Sequence, residues 1–149
     1  MAKKIKKQKV KIDKKVKNGL ILKALENEEK KFLTRLKRVK SRAITDIITH
    51  IKIKSDVFVD YGNWYCGITK DKDAMKRIKR HMKDKKTPAL YPIVRTALTM
   101  ENANLIEAHF SIMGMTNAPH KEGAKPESIY VYAFKRHLNF IESMAHLLS

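Results

Sequence analysis

The residues with the most chemical capacity are Tyr65, Arg77, His81 and Glu107. Trp64-Tyr65-Cys66-Gly67-Ile68-Thr69 is an aromatic-rich run with a glycine after its aromatic pair and cysteine, and Lys76-Arg77-Ile78-Lys79-Arg80-His81 follows it. Arg77 and His81 are four positions apart, so on a helix the guanidinium and imidazole share one side. At about 100° per residue both fall off the apolar stripe of Met75, Ile78 and Met82. Glu107 borders an apolar arc of Leu105, Ile106, Phe110 and Ile112, where a carboxylate reaches the rim of a cleft. Together these groups offer a cation for anionic oxygens, a hard oxygen ligand for a divalent ion, and phenol and imidazole to hold or move a proton. Each also has a plainer reading. Trp64 and Tyr65 fit strand-core aromatics, Arg77 one more solvated cation, and Glu107 a surface carboxylate. Cys66 reads as a small buried hydrophobe, and His109 as a hydrogen-bonded core residue.

The elements that must position these residues follow from periodicity. Residues 1–18 carry nine Lys without helical spacing and read as a flexible basic arm. Residues 19–54 turn amphipathic: Leu25, Phe32, Leu36, Val39, Ala43, Ile47 and Ile51 recur at helical spacings, as one helix or two with a break near Ser41. Lys30, Lys31, Lys37, Arg38 and Arg42 occupy the other face, either as a solvated surface or as a phosphate-tracking one. Residues 55–149 read as a domain. Val57–Tyr61 and Trp64–Thr69, joined by Gly62-Asn63, suggest a hairpin. A basic helix is expected from about Asp73 to Lys83, a short strand over Ile93–Leu98, and a helix over Asn102–Met113 capped by Thr99. Residues 114–126 read as a Gly/Pro loop, with Asn117 to Lys125, including His120, as a flap. Ile129–Phe134 is apolar on both faces, as in a sheet covered on both sides. Leu138, Ile141, Ala145 and Leu148 mark a terminal helix. The class is α+β.

Charge narrows the partner. Across 149 residues the 33 Lys+Arg outweigh 15 Asp+Glu, for a net charge of +18. Residues 1–43 hold 17 Lys+Arg against four acids, so the surplus is mostly N-terminal. Such self-repulsion implies a polyanionic partner, and a preference for Lys over Arg suits phosphate contacts. One cysteine excludes an internal disulfide and a Cys-based zinc cluster. No apolar run has the length of a membrane span, and no h-region follows the basic N-terminus, so neither membrane nor secretion is expected. The setting expected is cytoplasmic, nucleoid-associated or a phage particle.

Tyr65-Cys66-Gly67, with Thr69 after it, resembles the Tyr-Ile-Gly signature of the GIY-YIG nuclease superfamily. Arg77 and His81 stand where that family has its helix Arg and His, and Lys76 to Asp84 resembles the corresponding helix of phage homing endonucleases. The resemblance spans roughly residues 55–135 and implies a small antiparallel sheet flanked by helices. It makes Glu107 the ligand of Mg²⁺ or Mn²⁺, Arg77 the stabiliser of phosphoryl charge, and Tyr65 the group that orients water. Gly-Ile-Tyr is absent. Val57-Phe58-Val59-Asp60-Tyr61 stands in its place, and Tyr61 is the only hydroxyl there to substitute. Trp-Tyr-x-Gly-Ile-Thr without Gly-Ile-Tyr, and Glu127 to Lys135, also resemble a group of uncharacterised bacterial and phage proteins.

Two functions follow. One is a nucleic-acid-binding protein with a metal-dependent endonuclease site of Tyr65, Arg77, His81, Tyr61 and Glu107. The other is a binding or packaging protein that keeps the fold without turnover. In both, Lys76, Lys79, Arg80, Lys83, Lys37, Arg38 and Arg42 contact nucleic acid, DNA ahead of RNA.

Overall fold

The computed structural model describes residues 2–55, 57–85, 89–117 and 125–136, and side chains throughout these except at residues 2–13 and 81–85. The chain divides into two compact units, Met1–Lys37 and Arg38–Ser149.

One helix, α1 (Ala2–Lys54), begins in the first unit and ends in the second. Residues 1–54 contain no proline and one glycine, Gly19, so nothing in the sequence breaks the hydrogen-bond ladder. The expected flexible arm over residues 1–18 is therefore corrected to helix from Ala2, and no break occurs at Ser41. Missing apolar periodicity in residues 1–18 argues against burial, not against helicity, because Lys is itself a good helix former. In the first unit, every side chain from residue 14 to residue 35 is exposed, including Leu25 at 60% and Phe32 at 48%. Only the far end of the expected stripe, Ala43, Ile47 and Ile51, is buried. The domain boundary expected after residue 54 thus moves back to residue 37.

The second unit is α+β. Its sheet has three antiparallel strands: β1 (Trp64–Thr69), β2 (Ala89–Thr96) and β3 (Tyr130–Arg136), in the order β1-β3-β2. Helices α2 (Met75–Lys85) and α3 (Met100–Ile112) lie between the strands in sequence. Strand alternation sends successive side chains to opposite faces, and both faces are covered. Trp64, Cys66, Ile68, Ile93, Val131 and Ala133 join Ala43, Ile47 and Ile51 of α1 and Ala103, Ile106 and Phe110 of α3 in one cluster. Tyr65, Tyr132 and Phe134 join Ala74 and Ile78 beside α2 in the other. This is why Ile129–Phe134 reads as apolar on both sides: β3 is the central strand.

The hairpin expected between Val57–Tyr61 and Trp64–Thr69 does not form. Val57 and Phe58 are exposed at 86% and 85%, and Asp60 Oδ1 accepts from Gly62 N at 2.9 Å to start a 3-10 turn over Tyr61–Asn63. An Asp side chain that bonds the backbone two residues on competes with a ladder. The outer edge of β1 is closed by Thr116, which accepts from Cys66 N and donates to Trp64 O, both at 3.0 Å. Thr99 caps α3 as expected, its Oγ1 accepting from Asn102 N at 3.1 Å. The flap and the terminal helix lie outside the described residues, apart from Asn117 and Lys125.

Candidate functional site

The site is assembled from β1, β3 and α2. β1 pairs with β3 so that Tyr65 faces Phe134 and Gly67 faces Tyr132. Tyr65 and Phe134 stack with ring centroids 5.1 Å apart, and Tyr65 and Tyr132 with centroids 6.1 Å apart. A glycine is required at position 67. An ideal Cβ there would lie 2.5 Å from Tyr132 Oη and 2.6 Å from its Cζ. The missing side chain lets the Tyr132 ring lie across β1, and its hydroxyl is acted on by both Tyr65 and Arg77.

Arg77 comes from α2, whose start is held by Asp73 Oδ1 accepting from Met75 N at 3.0 Å. Ile78 packs into the cluster, and this brings the preceding arginine against the tyrosines. The Arg77 side chain is half-buried, and its Nε is buried without a hydrogen-bond partner. Burial, reinforced by neighbouring Tyr65, pushes the Tyr132 phenol well above its ordinary range, and Arg77 opposes the shift only in part. Tyr132 is therefore protonated at neutral pH, able to donate or accept a hydrogen bond rather than act as a ready base. On α2, Lys76, Lys79 and Arg80 are exposed around Arg77. Met75, expected in the buried stripe, is exposed, and Ala74 is buried in its stead. His81 lies one turn beyond Arg77 on the α2 backbone; its side chain and those of Lys83 and Met82 lie outside the described ones.

Other expected members are elsewhere. Tyr61 packs against the cluster shared by α1 and α3, not against the Tyr65 cluster. The hydroxyl beside Tyr65 belongs to Tyr132, a residue the sequence reading passed over. Its one signal was the alternation of Tyr130, Tyr132 and Phe134, which places three aromatics on one strand face. Glu107, expected on a cleft rim, is only 8% exposed. Burial, and secondarily Glu107, push the Cys66 thiol up, so this carboxylate sits close to Cys66. Cys66 and Tyr65 are consecutive in β1 and project to opposite faces. Glu107 thus accompanies the α3 face, and Arg77 the α2 face. Cys66 itself is fully buried, as expected, and its raised thiol is a poor nucleophile. His109 is exposed, not in the core, because α3 buries Ile106, Glu107 and Phe110 while Leu105 and Ile112 face solvent.

A magnesium ion bridging Glu107 and a phosphate at Arg77 does not fit this arrangement. Among the described residues no three His, Cys, Asp or Glu side chains gather as a metal site. The basic side chains of the second unit expected at an interface, Arg38, Arg42, Lys76, Lys79 and Arg80, are exposed, and Lys37 of the first unit is exposed as well. No described helix is long and apolar enough to cross a membrane. No family model matches the chain, and searches of the curated proteins and of the solved structures return no match.

Proposed function

We propose that this protein binds nucleic acid through its phosphates, DNA ahead of RNA. The observation that carries this reading is a net charge of +18, with Lys37, Arg38, Arg42, Lys76, Lys79 and Arg80 exposed on α1 and α2. Each phosphate neutralised by a cation releases condensed counterions, so Lys-rich surfaces bind polyanions in a salt-dependent way. Half-buried Arg77, steadied by Tyr132, adds a fixed cation among mobile ones and suits a bidentate phosphate contact. The test is affinity for duplex DNA, single-stranded DNA and RNA across a salt series. A steep fall with salt is expected, and a flat dependence overturns the reading.

A second reading, phosphodiester cleavage, is favoured by one observation: two stacked phenols and a guanidinium influence one another in one cluster. There Arg77 would stabilise charge developing on phosphoryl oxygens, and the Tyr65 and Tyr132 hydroxyls would orient an incoming water. Incubation of DNA with the protein and Mg²⁺ or Mn²⁺, against a chelator control, tests it. Cleavage that Arg77→Ala abolishes supports it, and intact substrate in every lane leaves binding alone.

A further inference from the structure

Strand β2 contains an irregularity that neither reading uses. Leu90 pairs with Lys135 and Ile93 with Ala133, so Tyr91 and Pro92 oppose Phe134 alone. This is a two-against-one bulge, and proline fits it because it has no ladder donor to lose. Tyr91 takes φ +52°, a conformation rare for a bulky residue and further disfavoured before proline. Strain of this kind persists only where surrounding structure holds it. The holder here is the end of α1: the Tyr91 carbonyl accepts from His50 Nε2 at 2.8 Å, and the His50 ring stands edge-on to buried Trp64, centroids 6.0 Å apart. The bulge does not bury the tyrosine. Tyr91 is 45% exposed, and Lys54 Nζ lies 5.3 Å from its ring centroid.

An exposed aromatic ring, fixed by its backbone and accompanied by a lysine, is the combination that stacks an unpaired base while a cation takes an adjoining phosphate. In a duplex both faces of each internal base are already stacked, so a single protruding ring finds a free base face on a single strand. We propose that Tyr91 is a stacking platform for an unpaired nucleobase, with Lys54 contacting a flanking phosphate. This rests on the nucleic-acid reading and adds to it a preference for single strands.

The experiment compares oligothymidylate with an abasic deoxyribose-phosphate oligomer of equal length, which keeps the phosphates and removes the bases. Tyr91→Phe keeps the ring. Tyr91→Gly removes it and accepts a positive φ without a Cβ penalty, so the bulge is retained. The expected result is a loss of about ten-fold for Tyr91→Gly on oligothymidylate, little change on the abasic oligomer, and near-parental binding by Tyr91→Phe. Equal losses on both polymers, or unchanged binding of oligothymidylate by Tyr91→Gly, overturn the stacking role while the nucleic-acid reading stands. Parental protein that binds neither polymer at low salt overturns both.

Discussion

Gly67 is the single residue on which the tyrosine cluster most depends. Its missing Cβ is the space occupied by Tyr132, whose ring is pinned between strands and stacked near Tyr65 and Phe134. Gly67→Ala is expected to cost about 1–3 kcal/mol by overpacking, seen as a lower denaturant midpoint with an unchanged slope. Two acidic groups set a pH dependence. Cys66 and Tyr132 hold their protons above their ordinary values of 9.0 and 10.0. Above those values the unfolded chain has released a proton that the folded chain keeps. Stability is therefore full below about pH 9 and falls above it, by about 1.4 kcal/mol per pH unit for each group. Urea titrations at several alkaline pH values should show a shallower decline for Cys66→Ala from pH 9, and for Tyr132→Phe from pH 10. A decline as steep in Cys66→Ala as in the parent rules out the buried thiol as its source.

At the scale of elements, the sheet owes its order to β3, which pairs with both other strands, and its closure to helices on either face. Helix α3 starts where Thr99 satisfies the Asn102 amide, while the Asn102 side chain donates to Ala97 O at 2.9 Å. Thr99→Ala removes the cap and is expected to cost about 0.5–2 kcal/mol, with Thr99→Ser retaining most of the stability in thermal melts. Local signals of this kind were readable beforehand: the cap, the presence of helices α2 and α3, and the double-sided strand. The hairpin was not. Val57-Phe58-Val59 has strand composition, but Asp60 turns the chain and the true partner of β1 lies more than sixty residues on.

For the whole molecule, the two compact units differ in what holds them. Residues 1–37 carry 14 Lys+Arg against four acids. In the second unit, residues 38–54 of α1 supply Ala43, Ile47 and Ile51 to the core. Removing residues 1–37 is thus expected to leave a cooperatively folding protein with a nearly unchanged melting temperature. The same deletion should weaken DNA binding and flatten its dependence on salt, because fewer counterions are released. Truncation at residue 54, by contrast, should unfold the domain by stripping three buried side chains from the sheet. Circular dichroism melts of the two truncations distinguish the boundary at 37 from the one read in the sequence.

Charge, the helical character of α2 and α3, the strand character of β1 and β3, the Thr99 cap and the buried state of Cys66 and β3 were determined by the sequence itself, since each depends on side-chain type and spacing over a few residues. Tertiary structure alone decided which residues meet. Insertion of β3 between β1 and β2 put Tyr132 beside Tyr65 and Arg77, left Tyr61 in the other cluster, and set Glu107 beside Cys66 on the opposite side. The physical reason is that a strand's two faces are distinguished locally only by alternation. Which neighbour covers each face is settled by joint burial of segments distant in the chain, and no local pattern records that choice.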